Sequence, residues 1–203
     1  MSLTIADRVQ SINQRIQTAR NADDVTLLAA SKTRTLEEID AAVRAGVRVF
    51  GENYAQSFQE KASQRPELEW HFIGHLQRNK AKQVVPYVHT LHTLDRVSLA
   101  DTLERLLDRK IRVLIQVNVS EEVTKSGCAA PEALALARHV VQQCPHLCLT
   151  GLMTMPPPDE DPIPFYRVLV ALRDSMATAL RMELPVLSMG MSGDLESAVA
   201  NGS

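Results

Sequence analysis

Residues 27–33 read LLAASKT, an apolar run that ends in a serine, a lysine and a threonine. Side chains alternate across a strand, so Lys32 shares a face with Leu28 and Ala30, opposite Val25, Leu27 and Ala29. If the odd-numbered set packs on helices, Lys32 points into the mouth of whatever the strands enclose, with small Ala30 leaving space beneath it. A lysine partly desolvated there has its pKa lowered, because burial disfavours the ammonium form. The neutral amine can then attack a carbonyl and form a Schiff base. The competing reading is a strand-end lysine whose stem lies on apolar surface while its head reaches solvent.

SMGMSGDLE (188–196) runs from a strand towards a helix. Small residues let the backbone approach a ligand closely, and a helix N-terminus favours an anion such as phosphate. Ser188 or Ser192 adds a hydroxyl donor; an ordinary N-cap at Ser192 or Gly193 is the alternative. Asn53, which follows Gly51 and Glu52, either orients a polar ligand or caps the next helix. His71 lies within a strand and reads as a hydrogen-bonded core histidine. His89 and His92, three apart on a strand, face opposite sides and cannot act together as ligands. Lys80 and Lys125 read as solvated or anion-contacting loop residues. Cys144 and Cys148 flank His146, with His139 nearby, a spacing looser than a zinc knuckle; two small buried thiols beside a loop is the expectation. No pair of carboxylates is spaced for acid–base work, and neither G-x-S-x-G nor H-E-x-x-H occurs.

The elements that must position these residues alternate along the chain. Ile5, Val9, Ile12 and Ile16 mark one face of an opening helix. A strand over 25–30 is followed by a capping box, Thr35 and Glu38, with Leu36, Ile39 and Val43 at helical spacing as far as Gly46. Further strands are expected at 47–50, 69–73, 88–92, 111–119, 147–152 and 185–190. Helices are expected from Tyr54 to Ser63, from Gln77 to Val85, around Leu99–Leu107, after Pro131 in a first turn, across Phe165–Met176, and from Asp194. Strands alternating with helices imply parallel pairing with helices outside. Seven strands are one short of a (β/α)8 barrel, and the chain reaches AVANGS where an eighth would begin. No Gly-rich dinucleotide fingerprint follows the first strand.

The chain has 203 residues, 45% of them hydrophobic, enough for one sizeable core. Its net charge of −2, with acids and bases interspersed, gives no basic footprint for nucleic acid. No run approaches a membrane span, and an odd count of three cysteines points to a reducing compartment, the cytoplasm.

LLAASKT, FGENYAQ, EWHFIGHLQRNK, HTLD, VLIQVNVSEEVTKSG, GLMTM and LSMGMSGDLESAVANGS occur in the order found in the pyridoxal phosphate homeostasis protein family, which this chain resembles over nearly its whole length. The resemblance implies one barrel over residues 1–203, an α/β (β/α)8 TIM barrel of the alanine racemase N-terminal-domain type, with pyridoxal 5′-phosphate at the strand C-termini. The family's aldimine-forming lysine falls on Lys32 and its phosphate-contacting serine on Ser188, with Met189 and Gly190 alongside. Asn53 and Met153 fall near the cofactor ring, and Lys125 matches a loop lysine linked to cofactor handling. The family continues with a segment resembling T-x-V-R-I-G-T-A-I-F-G, which carries an arginine beside the pyridine nitrogen, part of the phosphate site and the eighth strand. That segment does not appear in this sequence, and the expectation is that a tail has been omitted. The stretch TARNADD is also shorter than is typical.

The expected role is a binder that holds the cofactor as a Schiff base and acts in its homeostasis without robust catalysis. Its partners would be pyridoxal phosphate, related B6 vitamers and apo enzymes that use them. The alternative is a racemase-like enzyme, which needs a second proton carrier, usually a tyrosine, opposite the lysine. Tyr54, Tyr87 and Tyr166 are the candidates, and none clearly ends a strand facing Lys32. The racemase-type dimer uses a second domain, so a monomer is expected.

Overall fold

The structure, a computed structural model, describes residues 3–19, 25–120 and 126–203. Helix α1 (Ile5–Ala19) turns Val9 and Ile16 inward, as the spacing requires. Strand β1 (Leu28–Ala30) leads to α2 (Leu36–Arg44), whose capping box closes as expected: the Glu38 amide donates to Thr35 Oγ1, and the Thr35 amide to Glu38 Oε2. There follow β2 (Val49–Glu52), α3 (Ala55–Gln64), β3 (Glu69–Phe72), α4 (Ala81–Val84), β4 (Thr90–Leu94) and α5 (Val97–Leu106). The remaining elements are β5 (Ile111–Asn118), β6 (Cys128–Ala129), α6 (Ala130–Gln143), β7 (Leu147–Met153), α7 (Ile163–Leu180), β8 (Val186–Ser188) and α8 (Leu195–Ala200).

The seven expected strands pair in parallel in the order β1-β2-β3-β4-β5-β7-β8. β6 is a two-residue addition beside β5 and does not serve as an eighth barrel strand. The helix expected at 77–85 is instead a 3₁₀ turn (Arg78–Lys80) running into the single turn of α4. The strand expected at 88–92 lies at 90–94, with a register shift between Leu91 and Leu94. Among the described residues no ladder joins β8 to β1, so the sheet curls without closing. α1 and α8 pack together over that seam, where Arg15 hydrogen-bonds Glu196 and the Ser192 carbonyl.

The two faces of the sheet differ in chemistry. On the outer face, fully buried Trp70 packs between Phe50 and Phe58, with centroids 5.8 and 6.1 Å away, and its indole N–H donates to the Arg65 carbonyl. The inner face places Leu28, Gly51 and Ile73 in one layer, where a Cβ on Gly51 would lie 2.5 Å from Leu28 Cδ2. Beyond that layer it carries His71, Thr90 and His92, all buried, where a barrel interior ordinarily holds branched apolar side chains.

Candidate functional site

β1 ends at Ala30, and the chain turns at once through Ser31, Lys32 and Thr33. Thr33 has φ of 63°, a left-handed conformation that a β-branched residue adopts only at a cost. A buried carboxylate holds the turn. Glu52, fully inaccessible at the end of β2, accepts from Ser31 Oγ at 3.0 Å, from the Asn53 amide at 2.9 Å and from Lys61 Nζ at 2.8 Å. Lys61 also donates to the Ser31 carbonyl at 2.7 Å. Burial pushes the Glu52 carboxyl up, but Lys61 and the two other donors outweigh it and hold the group below its ordinary range.

This brace presents Lys32 at the rim of the cavity, where its side chain is exposed. Of the two readings of Lys32, the exposed side chain just past a strand end is the one observed. Asn53 is not the cap of α3: Tyr54 occupies that position and makes no side-chain cap bond. Instead Asn53 Oδ1 is buried without a hydrogen-bond partner. Its backbone lies against Gly74, where a Cβ would come within 2.0 Å of the Asn53 carbonyl oxygen, so only glycine admits this approach.

On the opposite side of the seam, Ser188 ends β8, and Met189 and Gly190 continue the wall. The expected anion-attracting helix start is modified here. α8 has six residues, and Asp194 already accepts the Met191 amide and the Tyr166 hydroxyl. Among the described residues the amides of Gly190, Ser192 and Gly193 donate to no protein acceptor. They, and not the helix terminus, are the free donors of this loop. Lys32, Asn53, Met153, Ser188, Met189 and Gly190 all line one cavity of about 980 Å³ that opens along the seam. Lys125 and most of TARNADD (20–24) lie outside the described residues.

A file of hydrogen bonds runs beneath the rim. His92 Nδ1 lies 2.8 Å from Ser188 Oγ, His92 Nε2 2.9 Å from His71 Nδ1, and His71 Nε2 2.9 Å from Glu69 Oε1, which also pairs with Arg112. Burial pushes both imidazoles down, His92 to about 3; the Glu69 carboxylate works against the shift at His71. His71 is hydrogen-bonded in the interior, as expected. His89 faces the other way, its Nδ1 accepting the Trp70 amide at 3.1 Å.

The matches to known proteins agree with this geometry. The family model for the alanine racemase N-terminal domain matches residues 5–201. A Haemophilus influenzae protein named pyridoxal phosphate homeostasis protein is 40% identical, covering 99% of this chain and 91% of that protein. The chain belongs to the pyridoxal phosphate homeostasis protein family. A structure of its Synechococcus elongatus relative PipY, described as having PLP bound, aligns with a TM-score of 0.85 and 28% identity over 98% of this chain and 95% of that one. An alanine racemase from Clostridium difficile, 12% identical, shares the fold alone: the TM-score is 0.73, over 93% of this chain and 52% of that one.

The pyridoxal phosphate homeostasis resemblance located the rim but not what supports it. Glu52, Lys61, His92 and Arg112 were not identified as site residues from the sequence. The available signal was polar side chains at inward-facing strand positions, as in EWHFI and VHTLH, where an apolar barrel filling was the default. Cys144 is buried and Cys148 only half-buried. Ligand-type atoms of Asp101, His139 and Cys144 lie within 4.8 Å of one another, but His139 is hydrogen-bonded to Asp101 at 2.7 Å. Burial, with Glu104 and Asp101 adding, pushes the Cys144 thiol up to about 11, which disfavours the thiolate a metal would take.

Proposed function

We propose that this chain binds pyridoxal 5′-phosphate in the seam cavity, covalently on Lys32 and with its phosphate at Ser188, Met189 and Gly190, and that it serves cofactor homeostasis rather than amino-acid chemistry. The observation that carries the reading is the convergence of all six family-matched residues on one cavity. The residues also fit the group: Asn53 Oδ1 is a buried acceptor without a partner, and the amides of Gly190, Ser192 and Gly193 are free donors suited to a phosphate. The cofactor's aldehyde supplies an electrophilic carbon. The chain's part is to bring an amine to it from the Glu52-braced turn, to hold the phosphate at β8, and to pack Met153 against the ring.

Among the described residues no tyrosine lines the cavity. Tyr166 is buried with its hydroxyl on Asp194, and Tyr54 is 66% exposed outside it. This supports a binder over a racemase, which needs an acid–base group on each face of the reacting carbon. No helix is long and apolar enough to cross a membrane among the described residues. We place the protein in the cytoplasm as a single-barrel monomer, with B6 vitamers and apo enzymes that use them as partners.

Adding pyridoxal phosphate to the purified protein and recording its visible spectrum tests the reading. Wild type gains an absorbance band that Lys32→Ala lacks; a band that persists in Lys32→Ala overturns the assignment. Incubating the loaded protein with amino acids in heavy water tests the enzyme alternative, and rapid exchange at the α-carbon would replace the binder reading.

A further inference from the structure

With both imidazoles neutral, as their burial favours, the four-membered file Glu69–His71–His92–Ser188 has one direction for every hydrogen bond in it. A carboxylate paired with Arg112 only accepts, so His71 carries its proton on Nε2 and presents Nδ1 as an acceptor. His92 must then carry its proton on Nε2, leaving Nδ1 to accept from the Ser188 hydroxyl. Ser188, the residue matched to phosphate binding, therefore has its one proton committed inward, and its oxygen shows lone pairs to the cavity. Such an oxygen repels a phosphate dianion.

We propose that His71 and His92 are positioning residues that make phosphate binding at Ser188 conditional on the uptake of one proton. The proposal rests on the cofactor-binding reading above. Two routes satisfy the geometry, and both balance at one proton from solvent. In the first, the Ser188 hydroxyl turns to donate a hydrogen bond to the dianion; His92 exchanges its Nε2 proton for one on Nδ1 and donates to Ser188 Oγ, and His92 Nε2 accepts from His71 Nδ1. His71 then holds protons on both nitrogens, the extra one from solvent, and still donates Nε2–H to Glu69. In the second, the phosphate takes the solvent proton itself, and its P–OH donates to Ser188 Oγ while the file stays as it was.

The groups that bear on this pair are Glu69 from β3, His89 just before β4 and Arg112 from β5. The one titratable residue of β7 is Cys148, the register partner of Arg112, and β8 carries none. Farther along the cavity wall are Lys32, Arg8, Arg15, Arg34, Glu38 and Asp194. Glu69 favours a cationic His71, whereas Arg112 and His89 oppose it, so the routes compete while the proton count stays the same.

Pyridoxine 5′-phosphate, which lacks the aldehyde and cannot bond Lys32, isolates the step. Calorimetric titration at about pH 8, some two units above a phosphate ester's second ionisation, in two buffers of different ionisation enthalpy gives the protons taken up. Wild type is expected to take up about one more proton than His92→Leu, the ring ionisations of the ligand being common to both. The wild-type affinity should accordingly fall up to about tenfold more per pH unit than that of the variant. Nitrogen-15 spectra of histidine in the unliganded wild type need no variant: His92 should be protonated on Nε2 alone. Phosphorus-31 spectra of the complex then separate the two routes. Binding without differential uptake, or a His92 protonated on Nδ1 before ligand is added, overturns the proposal and leaves the cofactor reading intact. Failure of pyridoxine 5′-phosphate to bind at all would count against that reading, and the proposal would fall with it.

Discussion

Phe50, Trp70 and Phe72 pack towards Phe58 of α3; Gly51, His71 and Ile73, each one residue further on, face the inner side of the sheet. The same two strands, β2 and β3 with the residue that follows it, thus supply two chemistries. The outer set is fully or nearly fully buried, aromatic and interlocked with Phe58 of α3. The inner set is small, polar or set back from the axis, and its polar atoms are joined end to end. Stability therefore rests chiefly on the outer face, where apolar area leaves water. The inner face can then hold imidazoles, and an unpartnered Asn53 oxygen, in the place of a packed core.

The largest effect that separates the faces is expected from Trp70→Ala. Losing a fully buried indole between two rings should cost about 4 kcal/mol in urea unfolding, with the folded fraction still acquiring the absorbance band. Next is Glu52→Gln, which leaves Lys61 without its charged partner and the Ser31–Thr33 turn without its brace. About 3 kcal/mol is expected, together with slower cofactor uptake measured by stopped-flow absorbance. Unchanged uptake would show that the turn holds itself.

His92→Leu lies on the inner face and should cost about 2 kcal/mol near neutral pH, since it strands His71 Nδ1 and Ser188 Oγ. Its signature is in pH dependence. His71 and His92 have folded pKa values below the unfolded value of about 6.5, so the unfolded chain binds more protons in that window. Their contribution is complete above about pH 6.5 and is lost as pH falls, by up to about 1.4 kcal/mol per unit per histidine. Denaturation midpoints measured between neutral and mildly acid pH should fall less in His92→Leu than in wild type. The smallest effect is at the rim: Thr33→Gly relieves a left-handed β-branched residue and should stabilise by about 0.5 kcal/mol, the gain being reduced by glycine's greater freedom when unfolded.

The outer face was the more legible of the two in the sequence. Apolar runs marked all seven barrel strands, Thr35 and Glu38 spelled out a cap, and the parity of LLAASKT put Leu28 with Lys32 rather than with Leu27. What periodicity could not provide was register. Only the pairing of Gly51 with His71, and of His71 with Thr90, aligns the histidines with Ser188, which lies 96 residues beyond His92. Glu52 looked like part of a motif because its partners, Ser31 and Lys61, are brought to it by separate turns of the chain. Asn53 looked like a cap because its residue type suits one, whereas the helix begins a residue later and needs none. Lys32 was left with two readings, partly desolvated or exposed at a strand end, because parity fixes a direction but not how far a turn carries the side chain beyond the strand.

The clasp between Arg15 and Glu196 joins residues 181 positions apart. During synthesis, β1 and β2 can pair long before β8 exists, and the strand bearing Ser188 and the helix covering the seam come much later in the chain. Closing so long a loop is entropically unfavourable and slow. Lys32 and Asn53 can thus be in place well before Ser188 faces them across the seam. The contact between α1 and α8 is therefore a marker of a seam whose two sides have both been made.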